Sequence, residues 1–180
     1  MPIWTVCGLQ LNAPLEEIET GDLFLFFGWF VEASWNGPGI VCTSEASFHA
    51  LWGWLRVGST ERFVEPNTAS HHPHYKPMLK GSKHQKQRNS VYSGDSGLFQ
   101  YSASVRMTHP ACRHGCRSLW RLPKLFHQRL SSLPATAWVE EGNFTTVQSV
   151  GQHQEYVFTK PEDGSLDESL MLWLGELGIR

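Results

Sequence analysis

Cysteine is scarce in this chain of 180 residues: Cys7, Cys42, Cys112 and Cys116 are the full set. Four, unevenly spaced, are too few to frame a disulfide scaffold, which fits a reducing compartment. Long apolar runs are missing too. A membrane-spanning helix needs about 20 consecutive apolar residues. The two richest stretches, GDLFLFFGWF at 21–30 and HALWGWLRVG at 49–58, are shorter and are bounded or broken by Asp22, Glu32 and Arg56. The opening MPIWTVCGLQLNAPLEE has no basic region before its short apolar stretch, so it does not read as a secretory signal, and a cytoplasmic protein without a membrane partner is expected. No GxxxxGKS or GxGxxG string cradles a phosphate, which argues against an NTPase or a dinucleotide enzyme. The Asn143-Phe144-Thr145 sequon has little meaning without secretion.

Acids are nearly absent from the middle of the chain. Between Pro66 and Val139 there are eleven Lys and Arg against the single acid Asp95, or +10, whereas the flanks hold the other 4 bases and 16 acids, or -12. A basic block of this size suits a polyanion, because cations that neutralise phosphates release condensed counterions. Pairing of the two blocks within the fold is the competing reading, since clustering in sequence does not make a surface patch.

What the chain does hold is apolar mass. Hydrophobic residues make up 41%, with eight Trp and ten Phe, enough for a substantial core in a single domain over 1–180, with residues 1–20 as a variable lead-in. The nearly continuous apolar stretch Leu23 to Phe30 predicts a strand buried on both faces, and Phe48 to Val57 a second, joined by the turn-rich WNGPG. In that second strand Trp52 and Trp54 fall on one face and Leu51, Gly53 and Leu55 on the other. Alternation predicts a third strand over 98–107, and further strands are expected at Thr136 to Val139 and Glu155 to Thr159. Ser165 followed by Glu168 resembles a capping box, and Leu166, Leu170, Trp173, Leu174 and Leu177 then share a face, which predicts a helix from about Leu166 to Leu177. A shorter helix is expected from Pro123 to Leu130. Residues 66–90, rich in Pro, Lys and His, read as a long basic loop.

Three motifs have chemical content. His71, His72 and His74 in HHPH suit a positioned acid-base pair better than a metal site, because further ligands would have to come from elsewhere. HPACRHGC at 109–116 packs His109, Cys112, His114 and Cys116 into too short a span for structural zinc, with Arg113 and Arg117 repelling a cation, so it reads as a loop with incidental thiols. SGDSG at 93–97 shares four residues with the nucleophile setting of chymotrypsin-like proteases, but the chain lacks the rest of that setting, and a Gly-flanked turn leading into a strand from Leu98 is the stronger account.

Several strings occur together in order: GDLFLFFGWF, HALWGWLRVG, the HPH at 72–74, NSVY at 89–92, the W-x-LP-x-x-F of Trp120, Leu122, Pro123 and Phe126, and QEYVF at 154–158. This series resembles the third of the nucleotide modification associated domain families and covers about residues 20 to 160. The resemblance implies association with DNA-base modification systems of bacteria and phages. It also implies a preceding segment rich in Ser, Arg, Asp, Gly and Pro, which residues 1–20 do not resemble, so an N-terminally partial member is expected. In architecture the Gly-Asp strand start is similar to small β-barrels of the pseudouridine-synthase-associated type.

The expected fold is therefore α+β, mostly β, a small twisted sheet or partly open β-barrel with a C-terminal helix. The expected function is binding of nucleic acid, DNA in preference to RNA, or of a modified nucleotide. Trp54, Arg56, Lys76, Lys80, Lys83, Lys86, Arg88 and Arg121 are the candidate nucleic-acid contacts, with Trp54 or Tyr92 against a base. The alternative is an enzyme acting on a nucleobase or nucleotide, with His72 and His74 as acid-base or metal groups and Asn89 and Tyr92 orienting substrate. A third reading is a subunit docking on a base-modifying enzyme. No metal or cofactor is expected.

Overall fold

The computed structural model describes residues 4–9, 18–62, 89–112, 118–130, 137–148 and 167–179. The fold is α+β and mostly β. Strands β1 (Trp4–Leu9), β2 (Leu23–Trp35), β3 (Ile40–Arg62) and β4 (Asn89–Leu98) form one sheet in the order β1-β4-β3-β2. Strands β5 (Leu119–Pro123), β6 (Trp138–Glu141) and β7 (Phe144–Gln148) form a second, ordered β5-β7-β6. Among the described residues neither sheet closes into a barrel. Helix α1 (Asp167–Glu176) follows. By packing, the chain divides into two compact units, Met1–Phe26 with Gly53–Leu98, and Phe27–Trp52 with Phe99–Arg180.

β2 and β3 both run longer than the sequence predicts. The WNGPG turn joins them as expected: the Asn36 N–H donates to the Gly39 carbonyl (3.0 Å), the Gly39 N–H donates to Asn36 Oδ1 (3.1 Å), and Gly37 has φ +94°. Only glycine adopts that conformation without strain. The alternation expected in β3 is present, with Leu51, Gly53, Leu55 and Val57 buried while Trp52 and Trp54 point the other way.

In the first unit, Leu55, Val57 and Tyr92 make a small core flanked by Ile18, Phe24 and Phe26. The Gly21 N–H donates to the Val57 carbonyl (2.7 Å) and the Val57 N–H to the Asp22 carbonyl (2.8 Å), fixing the entry into β2. SGDSG is not a turn. It lies inside β4, paired antiparallel with β3 from Gly53↔Leu98 to Arg62↔Ser90, with a bulge between Val57 and Ser59. Its glycines are there for space. A Cβ on Gly94 would strike the Arg56 carbonyl and the Gly58 nitrogen, and one on Gly97 would meet the Trp54 indole, with Nε1 at 2.8 Å.

In the second unit, Trp120, Leu122, Phe126, Trp138 and Val147 form the larger core, with Phe27, Met107, Leu125, Leu130, Ala137 and Trp173 against it. The predicted strand over 98–107 is not formed. β4 ends at Leu98, the hydroxyls of Ser102 and Ser104 bond each other (2.7 Å), and Ala103–Val105 makes a 3-10 turn. Only the end of that segment is extended: the Met107 N–H donates to the His49 carbonyl and the Arg121 N–H to the Met107 carbonyl, both at 2.8 Å. The helix expected from Pro123 is likewise one 3-10 turn, Lys124–Phe126. The C-terminal helix is present, and it stops on a Schellman cap. The Ile179 N–H donates to the Leu174 carbonyl (2.9 Å), the Gly178 N–H to the Gly175 carbonyl (3.0 Å), Gly178 has φ +82°, and Leu174 and Ile179 are both buried.

The expected strand at 155–159 lies outside the described residues. Among the described residues no helix is long and apolar enough to cross a membrane.

Candidate nucleic-acid interface

Trp54 and Arg56 alternate along one face of β3 in the first unit, and both are half-buried. Trp54 stands opposite Gly97 with its indole against the glycine, and Arg56 stands opposite Asp95, the one acid of the basic block. Directly opposite residues of an antiparallel pair bring their Cβ atoms within about 5.5 Å, so Arg56 has a carboxylate as its cross-strand neighbour. Tyr92 is 2% exposed and packs 5.2 Å from Phe24 in the core. Asn89 begins β4, with Leu9 as its backbone partner. His72, His74, Lys76, Lys80, Lys83, Lys86 and Arg88 lie outside the described residues.

Arg121 belongs to the second unit and has different neighbours. β5, β7 and β6 are paired so that Arg121, Thr146 and Val139 form one row and Pro123, Phe144 and Glu141 the next but one. These rows occupy the face opposite the Trp120, Val147 and Trp138 core row, because side chains alternate along a strand. The Arg121 guanidinium lies over the Phe144 ring, 3.8 Å from its centroid, and Phe144 is 39% exposed. A cation so placed is held by the ring's quadrupole, at about 0.5–1 kcal/mol where solvent reaches the pair. Buried Arg121 Nε makes no hydrogen bond.

Glu141 completes this face. His109 Nδ1 accepts the Ala111 N–H (3.0 Å), which leaves the ring proton on Nε2, 3.6 Å from Glu141 Oε2. The Thr146 hydroxyl holds the Glu141 carboxyl below the ordinary carboxylate range, and His109 and Arg121 add to this against a desolvation penalty. That hydroxyl favours the charge by proximity rather than by a well-formed hydrogen bond.

The preceding residue, Glu140, points to the opposite face. Its carboxylate meets Lys124 Nζ at 2.6 Å and His127 Nε2 at 3.7 Å, and the Lys124 hydrogen bond is the main cause of its lowered pKa. Buried Thr145 donates to the Val139 carbonyl (3.3 Å), so its oxygen accepts from His127 Nδ1 (2.9 Å). Part of the basic block is thus paired with acids of the flank, as the competing reading of the charge blocks allowed.

A second arginine-aromatic pair lies elsewhere in the same unit. Arg106 sits 4.5 Å from the Phe48 centroid, and Phe48 packs 5.5 Å from the exposed Tyr101. Next to Phe48 in β3, half-buried His49 is ringed by Trp29, Trp120 and Phe27 at 4.6, 5.4 and 5.9 Å between centroids. The Trp120 Nε1–H donates to His49 Nδ1 (3.1 Å), and an indole can only donate, so the His49 proton sits on Nε2. Cys112 is disulfide-bonded, contrary to the expectation of an incidental thiol. Among the described residues no three His, Cys, Asp or Glu converge to hold a metal ion.

The sequence pattern of nucleotide modification associated domain 3 matches residues 10–159. The chain belongs to that family. No curated protein and no solved structure matches it. Of the strings that carried the family resemblance, Trp120, Leu122 and Phe126 are core residues, and GDLFLFFGWF and HALWGWLRVG are parts of β2 and β3. On this face of the family member Arg121 was a candidate from the sequence, whereas Phe144 and Glu141 beside it were missed. Their signal was the two-residue Gly142–Asn143 link between WVEE and FTTVQ, a hairpin turn with Gly142 at φ +64°.

Proposed function

We propose that the chain binds nucleic acid, DNA in preference to RNA, or a modified nucleotide carried in it, through the outer face of the β5-β7-β6 sheet. The observation that carries this reading is the Arg121 guanidinium stacked on a ring that is itself partly exposed. The cation covers one face of the ring, and in this reading a base stacks on the ring surface that remains exposed. Base–aromatic stacking is worth about 1–3 kcal/mol per base and tolerates any sequence. Arg121, and the basic residues before it in the 66–139 block, supply the attraction to phosphates. Family membership supports the context, nucleotide modification, and leaves the chemistry open. Tyr92, within its core, is here a packing residue, so the base contact moves from Trp54 or Tyr92 to Phe144.

Titration of a fluorescently labelled single-stranded oligonucleotide tests the reading. Affinity should fall by more than tenfold between about 50 and about 200 mM salt. An affinity that does not change over that range, or no binding at low salt, contradicts it.

A second reading, docking on a base-modifying enzyme, is favoured by the β2–β3 hairpin, where Trp35 and Ile40 are 70% and 74% exposed. Exposed apolar groups mark interaction sites where they join into a patch. Co-purification with such an enzyme, lost in a Trp35→Ser, Ile40→Ser variant, is the expected outcome.

A further inference from the structure

A platform that bound only phosphate and stacked any base would have no use for a carboxylate beside its cation, because a negative charge there repels the backbone. Glu141 is that carboxylate. It is the direct cross-strand partner of Phe144, so its side chain rises beside the ring on the same face. The side chain is 42% exposed, which leaves it open to a ligand. His109 Nε2–H, fixed in that tautomer by the Ala111 N–H, reaches one carboxylate oxygen from the side at 3.6 Å and orients the group.

An ionised carboxylate is an acceptor at both oxygens and no donor. It therefore selects a ligand edge with two adjacent N–H donors. Among the four common bases only guanine has one, in N1–H next to the N2 amino group. Adenine and cytosine place an acceptor beside their single amino group, and thymine places its one N–H between two carbonyls. A base stacked on the exposed part of Phe144 would extend its edge toward Glu141, the cross-strand neighbour of that ring. We propose that this face is a guanine-selective site, in which Phe144 stacks the base, Glu141 accepts from N1–H and the N2 amino group, and Arg121 supports the ring from beneath. The proposal rests on the nucleic-acid reading above and adds the identity of the base.

Three labelled single-stranded oligonucleotides, all thymidine except for one central guanine, hypoxanthine or adenine, separate the two ideas. Hypoxanthine keeps N1–H and lacks the amino group. The protein should bind the guanine strand at least about tenfold more tightly than the other two, the discrimination expected of a bidentate pair. Glu141→Gln, which turns one acceptor into a donor, should bring the guanine-to-hypoxanthine ratio to about one, with circular dichroism confirming the fold. Equal binding of guanine and hypoxanthine by the unmodified protein, or a preference that survives in Glu141→Gln, overturns the guanine site. If all three strands then bind equally and with salt dependence, the nucleic-acid reading stands alone; if none binds, both fall.

Discussion

Two of the faces that carry an arginine near an aromatic ring, one in each unit, differ in what already fills them. On β3 of the first unit, Trp54 lies against Gly97 and Arg56 has Asp95 as its cross-strand neighbour, so the ring is packed within the sheet and the cation stands beside an acid. On β5-β7-β6 of the second unit, Arg121 and Phe144 engage each other and leave ring surface and a carboxylate facing out. Aromatic prominence in the sequence is therefore a poor guide to binding here. The Gly-Trp pair at 53–54 exists because a glycine on the neighbouring strand makes room for an indole, which is a packing device.

The sharpest way to break the comparison is to attack that packing. Gly94→Ala would drive a methyl into the Arg56 carbonyl and the Gly58 nitrogen, backbone atoms that cannot move aside without undoing the bulge. Overpacking of this kind costs about 3 kcal/mol or more, and chemical denaturation should show it as a large fall in midpoint. A neutral Gly94→Ala would mean that β3 and β4 are not joined as described.

Much of the fold is legible in the amino-acid sequence. The period of two in LWGWLRV marks the buried face of β3, WNGPG marks the turn, and the 3.6-residue spacing of Leu170, Trp173, Leu174 and Leu177 marks the helix. Elements failed where a local pattern was overruled by its partners. SGDSG reads as a turn on composition, yet its glycines serve close approach to β3, which no window of single-chain sequence reveals. The alternation over 98–107 reads as a strand, but the serine hydroxyls at 102 and 104 bond each other and curl it into a 3-10 turn. The candidate site was hardest, because β5, β6 and β7 are four or five residues long and two threonines are buried between them. Arg121 was legible as a cation of the basic block, whereas Glu141 and Phe144 were hidden in a stretch that reads as acidic flank and sequon.

A smaller effect concerns the two adjacent glutamates. Both have pKa values lowered below 4.5 in the folded protein, Glu140 chiefly by Lys124 and Glu141 chiefly by Thr146. The folded chain then binds fewer protons than the unfolded chain near that pH, so their contribution is fully present above about 4.5 and disappears as pH falls through the lowered values. The midpoint of thermal unfolding of the unmodified protein should drop more steeply on acidification below about pH 5 than that of the Glu140→Gln, Glu141→Gln variant. Parallel curves would show that neither carboxylate is held by its neighbours.

The most direct test of the central claim compares Phe144→Ala with Arg56→Ala in the oligonucleotide titration at low salt. Loss of one stacking platform should weaken binding by about tenfold, while loss of a cation that stands opposite Asp95, away from this sheet's proposed interface, should change it by about twofold or less. The reverse order, with Arg56→Ala the more damaging, would contradict the assignment of the interface to the β5-β7-β6 sheet and return it to β3.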